Sequence, residues 1–281
     1  MKVDAHQHFW RLAQREGQWP PPSLAALHRD FGPDDLEPQL RACGIDATVL
    51  VQSLPSAEDT RWMLALAAAT PWVRGVVGWV DFKAADAPAQ IEALARDPLL
   101  KGLRPMLQDL PDDDWIADPA CDPAAQAMTR SGLVFDALVL PRQLPGLRRF
   151  AARHPDLTIV IDHGAKPFIA RGEMAPWRDD LAALAALPRV HCKLSGLLTE
   201  AGDRQGDAAL LPYVQTLWEL FGPRRLLWGS DWPVLRLAAD YAHWWAQAQR
   251  LAQQLHPAPS RAELDALFGG NAAALYRLPP C

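Results

Sequence analysis

The stretch Leu157–Ile161 is an unbroken β-type run, and Asp162, His163 and Gly164 follow it directly. A short apolar run without polar alternation is typical of a parallel β-strand that is covered on both faces. The stretch Ala47–Val51 has the same character. The sequence therefore predicts a buried parallel sheet whose strands end in polar residues.

Similar runs recur along the chain and alternate with helical patterns. The β-type runs are Val3–Phe9, Asp46–Ser53, Val73–Val80, Leu100–Leu107, Val134–Leu140, Leu157–His163, Val190–Gly196 and Leu226–Asp231. The helical patterns are Ala57–Thr70, Pro88–Arg96, Leu144–His154, Pro176–Ala186, Ala208–Phe221 and Ala238–Leu255. This alternation predicts an α/β fold, a single (β/α)8 TIM barrel over residues 1–281. A doubly wound sheet is disfavoured because no glycine-rich phosphate-binding motif follows any strand.

Composition and charge exclude several classes of protein. Hydrophobic residues make up 49% of the chain and charged residues 22%, which is typical of a globular protein. The net charge of -5 argues against a nucleic-acid partner, which would require a basic surface. No apolar run reaches the roughly 18 residues of a membrane helix, and no signal-peptide core follows Met1. The scattered cysteines predict a reducing, cytoplasmic location. The oligomeric state is left open.

Reactive side chains fall at the predicted strand ends, where active sites of such barrels gather. His6 and His8 lie two residues apart on the first strand, so they project to the same side. Arg104 follows on the fourth strand, His163 on the sixth and Asp231 on the eighth. Imidazoles and a carboxylate serve either metal ligation or proton transfer.

Each of these residues, taken alone, also has a structural interpretation. A histidine pair in a strand more often packs or lies at the surface, and His163 could be a buried core residue. Asp231 follows a Gly-Ser pair and could cap a helix, while Asp162 could be a structural hydrogen-bond acceptor. Their coincidence at one end of one barrel favours a functional site.

Five segments resemble motifs of the amidohydrolase superfamily, and within it the branch of sugar-lactone hydrolases called fuconolactonase-like. They span nearly the whole chain in the expected order: His6–Trp10, Val49–Gln52, Asp162–Pro167, Lys193–Gly196 and Trp228–Pro233. The resemblance implies a barrel hydrolase, a lactonase of carbohydrate catabolism, whose partner is a small sugar lactone similar to L-fuconolactone.

The sequence departs from the metal-dependent members of that superfamily in two places. Those members usually carry a histidine on strand five and, when binuclear, a lysine or glutamate on strand four. Strand five here has no histidine, and strand four offers Arg104, which cannot ligate a cation. His6, His8, His163 and Asp231 are therefore candidate ligands of one weakly bound zinc ion at most. The resemblance implies that no cofactor is required.

The predicted roles follow from the chemistry of lactone opening. Asp231 is the expected general base, which then returns the proton to the ring oxygen. His6, His8 and His163 would polarise the carbonyl group, and Arg104 would donate to the oxyanion. The expected substrate-binding residues are Gln52, Trp79, Met106, Trp115, Lys166, Ser195 and Trp232.

Two other functions compete with this interpretation. Hydrolysis of a carboxylated, aromatic-derived lactone, or a decarboxylation within the same superfamily, would require several cations for the carboxylates. The strand ends offer chiefly Arg104 and Lys166. A non-catalytic sugar-binding barrel would need neither the histidine pair nor Asp231, and their joint presence counts against it.

Overall fold

Eight parallel strands enclose the centre of the molecule, and helices surround them. The computed structural model describes residues 1–15 and 17–280. The strands are β1 (Val3–Gln7), β2 (Ala47–Val51), β3 (Val73–Gly78), β4 (Leu100–Leu103), β5 (Val134–Ala137), β6 (Ile159–Ile161), β7 (Val190–Leu194) and β8 (Leu226–Trp228). The helices are α1 (Pro33–Cys43), α2 (Ala57–Ala68), α3 (Ala87–Leu94), α4 (Asp122–Ser131), α5 (Leu144–Arg153), α6 (Trp177–Ala185), α7 (Asp207–Arg225), α8 (Tyr241–Gln253), α9 (Arg261–Asp265) and α10 (Asn271–Leu275). Over the described ranges, none of the helices combines the length and the apolar character that a membrane crossing requires.

Each strand pairs in parallel with the next one along the chain, from β1 to β8. The sheet then closes on itself through a parallel bridge between Gln7 and Trp232. Two backbone hydrogen bonds belong to the same closure, which we call the seam between β8 and β1. The N–H of Asp231 donates to the carbonyl oxygen of His6 at 2.8 Å, and the N–H of His8 donates to the carbonyl oxygen of Trp232 at 2.7 Å. The seam therefore sets Asp231 beside both histidines. The predicted (β/α)8 barrel is confirmed.

Two layers of buried apolar side chains lie on the two faces of the sheet. The outer layer joins the strands to the helices. The inner layer fills the barrel with small and branched side chains, among them Val49, Val77 and Val160. Tyr276 and Leu278, which follow α10, belong to this inner layer. The C-terminal segment therefore closes the end of the barrel opposite the predicted site.

Several strands are shorter than predicted, and polar residues at their predicted ends lie outside the strands. β6 ends at Ile161 and β8 at Trp228, whereas the sequence pattern extends to His163 and Asp231. These polar residues stand just beyond the hydrogen-bonded ladder, so their backbone is free to leave the extended conformation.

Four helices were not predicted from the sequence: α1, α4 and the two short C-terminal helices α9 and α10. α1 and α4 both carry a proline in the first turn and end at a left-handed glycine, Gly44 and Gly132 respectively. These are ordinary signals of helix ends. Each helix also buries apolar residues four positions apart, Leu36 and Leu40 in α1 and Ala124 and Met128 in α4, so the helical spacing was present as well.

Candidate active site

Four predicted residues meet at the carboxyl end of the barrel. Nε2 of His8 lies 3.2 Å from Oδ1 of Asp231, and Nε2 of His6 and of His163 each lie 3.7 Å from the same oxygen. The Nε2 atoms of His6 and His8 are 3.2 Å apart. All four side chains are buried. One carboxylate oxygen thus faces three imidazoles, an arrangement suited to metal ligation or to proton transfer.

The backbone is unusual at two of these four residues. φ is 59° at Asp231 and 55° at His163, in the left-handed region that costs a non-glycine residue about 1–3 kcal/mol. Asp4 stabilises the first of these turns, because its carboxylate accepts hydrogen bonds from N and Oγ of Ser230 at 2.8 and 2.6 Å. Gly196 makes room for the second, since a Cβ there would lie 2.6 Å from Nδ1 of His163.

Burial keeps the three imidazoles neutral. It lowers the pKa of His6 and His8 and lowers the pKa of His163 to about 4. Burial opposes ionisation of Asp231, but the surrounding imidazoles, His163 first, outweigh it and lower the pKa of this carboxyl group. At neutral pH the cluster is therefore one carboxylate among three uncharged rings.

Three of the four donor groups, on His6, His163 and Asp231, fit a single metal ion, and His8 adjoins this set through Asp231. Nδ1 of His8 donates to the carbonyl oxygen of Val51 at 2.7 Å, so the lone pair of the neutral ring is on Nε2 and faces Asp231. Two acceptors at 3.2 Å repel one another unless a proton or a cation lies between them. Ligands at about 2.0–2.1 Å from a tetrahedral zinc ion lie about 3.3 Å apart, close to the separations seen here. Ligand atoms of His6, His163 and Asp231 all fall within 4.8 Å of one another.

A buried ionic network lies beside the histidine cluster. Nζ of Lys193 lies 2.5 Å from Oδ2 of Asp136, 3.0 Å from Oδ1 of Asp162 and 3.1 Å from Nδ1 of His6. Nη1 of Arg104 lies 3.1 Å from Oδ2 of Asp162 and 3.3 Å from Nε2 of His6. Lys193 and Asp136 were not among the predicted site residues. The signal for them was a charged side chain in the middle of an apolar strand, where it requires a partner.

A cavity of about 410 Å³ opens over the cluster. Four of the five predicted catalytic residues line it: His8, Arg104, His163 and Asp231. Met106 and Lys166 also line it, as predicted for substrate-binding residues. Trp79 and Trp115 instead line a neighbouring cavity, which Met106 shares.

Three predicted substrate-binding residues do not reach the cavities and are packed behind their walls. Gln52, Ser195 and Trp232 are buried, and none of them lies on either cavity wall as described for residues 1–15 and 17–280. Gln52 donates from Nε2 to the carbonyl oxygen of Arg104 at 2.5 Å. Oγ of Ser195 lies 2.8 Å from Nδ1 of His163. The ring of Trp232 packs edge-on against two phenylalanine rings.

The fold and this cluster define a hydrolase of the amidohydrolase type, and comparisons with known proteins agree. The sequence model of the amidohydrolase family matches residues 3–278. The chain is 54% identical over 280 residues to an L-fucono-1,5-lactonase of Burkholderia ambifaria, covering 99% of this chain and 96% of that protein. It is 39% identical over 292 residues to an L-fucono-1,5-lactonase of Burkholderia multivorans, covering 99% and 97% respectively.

A solved structure also relates the chain to the amidohydrolases. The crystal structure of an amidohydrolase from Burkholderia multivorans with bound zinc superposes with a TM-score of 0.91 at 38% identity, covering 99% of this chain and 100% of that one. The chain belongs to the amidohydrolase family. The prediction of a hydrolase of the lactonase kind is confirmed by the two curated relatives.

Proposed function

We propose that this enzyme hydrolyses the 1,5-lactone of a neutral six-carbon or 6-deoxy sugar acid, with L-fucono-1,5-lactone as the first candidate. The choice of a neutral substrate rests on one observation. The two cations that line the catalytic cavity are already paired, Arg104 with Asp162 at 3.1 Å and Lys166 with Glu200 at 3.3 Å. A substrate with several carboxylates would have to compete with these ion pairs. The names of the two curated relatives support the same class of lactone.

The proposed mechanism assigns a step to each group of the cluster. Asp231, ionised at neutral pH, removes a proton from water while the water oxygen bonds to the lactone carbonyl carbon. The bond from that carbon to the ring oxygen then breaks, and the proton passes from Asp231 to the ring oxygen. Arg104, with His6 and His163, stabilises the negative charge that develops on the carbonyl oxygen. His8, whose lone pair is on Nε2, instead accepts a hydrogen bond from the attacking water. The product is the open-chain free acid.

The other predicted residues take supporting roles in this proposal. Met106 and Lys166 contact the bound lactone, because they line the catalytic cavity. Gln52 positions the backbone of Arg104, and Ser195 positions the ring of His163.

A panel of lactones tests the proposed substrate class. Hydrolysis is followed with a pH indicator for L-fucono-1,5-lactone, other aldonolactones and a dicarboxylated pyrone lactone, each at several concentrations. We expect kcat/KM for the neutral 6-deoxy lactone to be the highest. A preference for the dicarboxylated lactone would instead support the aromatic-derived alternative. Saturable binding of sugar lactones without hydrolysis would support a non-catalytic sugar-binding barrel.

A second part of the proposal concerns the metal. Zinc held by His6, His8, His163 and Asp231 would supply Lewis acidity to the carbonyl oxygen. We propose that this ion binds weakly and that lactone opening does not require it, because an activated ester needs less electrophilic help than an amide and Arg104 already supplies a cation.

Metal removal tests this part separately. Protein stripped by a chelator, with its zinc content determined by elemental analysis, is expected to keep most of its kcat/KM. Added zinc is expected to raise that value by less than severalfold. Activity that rises from nearly nothing in proportion to bound zinc would show a metal-dependent hydrolase.

The proposal also places the enzyme in the cytoplasm, with the lactone as its small-molecule partner. Cys43, Cys121 and Cys192 carry free thiols, which is typical of a reducing compartment. Fractionation of cells that express the chain, followed by immunodetection, tests the location.

A further inference from the structure

A second cavity of similar volume, about 410 Å³, adjoins the catalytic cavity. Trp19, Ser53, Met106 and Asp109 line both of them. The second cavity lies on the side of the strand ends of β2, β3 and β4, away from Lys166 and Glu200. A substituent on a lactone bound over Asp231 would therefore extend towards this neighbouring cavity.

The two cavities differ in the chemistry of their walls. The catalytic cavity carries hydrogen-bonding side chains suited to sugar hydroxyls, including Gln108, Thr199 and Glu200. The second cavity is walled chiefly by apolar side chains: Leu54, Trp79, Val80, Phe82, Leu110 and Trp115. Such walls offer sugar hydroxyls few partners, whereas burial of apolar surface against them is favourable. Gln18, Ser53, Asp81 and Asp109 add polar groups to the second cavity, but the larger part of its wall is apolar and suits an apolar group.

Buried contacts hold the walls of this second cavity in place. Arg15, which is only 2% exposed, donates to the carbonyl oxygen of Trp19 at 2.8 Å and to Oγ of Ser53 at 2.6 Å. The loop that carries Trp19 is thereby fixed to the end of β2. On the opposite wall, Nζ of Lys83 lies 4.8 Å from the ring centre of Trp115. A cavity built in advance can bind an apolar group without ordering its walls first.

We propose that the second cavity is a subsite for an apolar alkyl or aryl substituent carried by the lactone substrate. This inference rests on the proposed lactonase function and extends its substrate class. The ester bond is broken over Asp231 as before, and the substituent adds binding free energy without taking part in the chemistry. The enzyme is then a hydrolase of apolar-substituted lactones as well as of simple sugar lactones.

A series of δ-valerolactones that carry a methyl, propyl or hexyl group on the carbon next to the ring oxygen tests the subsite. Burial of each CH₂ group contributes about 0.8 kcal/mol, which corresponds to roughly a fourfold gain in kcat/KM per carbon until the cavity is filled. The readout is the ratio of kcat/KM for the hexyl and methyl lactones, measured within each protein. Each lactone is also measured as a competitive inhibitor of L-fucono-1,5-lactone hydrolysis.

Two matched substitutions locate the effect. Leu110 lines only the second cavity, and Leu237 lines only the catalytic cavity, at its rim. Leu110→Trp fills the proposed subsite and should reduce the hexyl-to-methyl ratio to nearly one, while Leu237→Trp should keep the ratio of the wild type. Trp115→Ala, which removes one wall, should lower the ratio in case Leu110→Trp fails to fold.

The outcomes separate the subsite from the proposed function. Hydrolysis of L-fucono-1,5-lactone with no gain along the alkyl series overturns the subsite alone. An equal gain in wild type and in Leu110→Trp also overturns it, because the chain then binds elsewhere. Failure to hydrolyse any lactone, sugar or alkyl, overturns the proposed function itself.

Discussion

Asp231 is the residue on which the barrel seam, the three imidazoles and the cavity converge. Its backbone N–H bonds to His6, its Oδ1 faces three rings, and its carboxylate lines the catalytic cavity. The backbone turn that Asp4 stabilises brings this carboxylate to that position. Burial alone would favour its protonated form, but the neighbouring imidazoles lower its pKa, so it is ionised, which is the state that a general base requires.

Replacement of Asp231 by Asn tests that role. The amide keeps the shape of the side chain and removes its basicity, so kcat should fall by about 10²–10⁴, the range typical of lost acid–base catalysis. Asp113→Asn, at a half-buried carboxylate that pairs with Arg142 away from the catalytic cavity, is the matched control and should keep kcat within a few-fold. Activity of a folded Asp231→Asn protein close to that of wild type would contradict the assignment and indicate His163 as the base.

The sequence predicted which residues come together at the site better than it predicted the contacts that each of them makes. His6, His8, His163 and Asp231 could be predicted because each reactive side chain stands at the end of a recognisable strand. Gln52, Ser195 and Trp232 also follow or end strands, yet the structure places them away from the cavity wall. The direction of a side chain near a strand end depends on where the backbone leaves the ladder, and a pattern of apolar residues does not determine that point.

At the scale of elements, the C-terminal segment has a role that its sequence does not indicate. α10 has five residues, rich in alanine, and its pattern lacks a clear apolar stripe. Tyr276 follows α10 and enters the base of the barrel, where its hydroxyl donates to Oδ2 of Asp136 at 2.7 Å. Burial raises the pKa of Asp136 to about 6, against the opposing charge of Lys193. The segment thus supplies a hydrogen bond to the ionic network beside the active site.

Loss of that hydroxyl should destabilise the whole barrel. Tyr276→Phe leaves a buried carboxylate without one of its two partners, so the free energy of unfolding should fall by about 1–3 kcal/mol. Tyr213→Phe is the matched control, because its hydroxyl donates to the carbonyl oxygen of Glu173 at 3.2 Å in a partly buried position. A loss of about 0.5–1.5 kcal/mol is expected there. Urea unfolding measures both, and a Tyr276→Phe protein no less stable than the control would contradict the importance of the network.

At the scale of the whole molecule, the repeat of strand and helix was enough to predict the barrel. The alternation of short apolar runs with helical spacers is a property of the whole chain, so a missed α1 or α4 did not change the conclusion. The seam between β8 and β1 could not be predicted, because it depends on a single bridge and a few backbone hydrogen bonds between residues more than 200 positions apart. That residues 1–281 form one domain stays a prediction.

The stability of the molecule should also depend on pH through a histidine remote from the catalytic cluster. His191 lies on β7, and its Nδ1 is buried with no hydrogen-bond partner in the described part of the chain. Burial, assisted by the charge of Arg225, lowers its pKa to about 4 from an ordinary value of 6.5. Between pH 6.5 and about 4 the unfolded chain therefore binds a proton that the folded protein does not, and acid favours unfolding.

The sign and size of this effect can be measured with one variant. In the wild type, the free energy of unfolding should fall as the pH is lowered from 7.5 to 5, and His191 should account for about 1–2 kcal/mol of that fall. His191→Gln removes the titrating group, so its stability should decline less over the same interval by that amount. Equilibrium urea unfolding of both proteins at several pH values gives the comparison. Parallel curves for the two proteins would mean that His191 is protonated equally in the folded and unfolded states, and the burial of its ring would then have no influence on its titration.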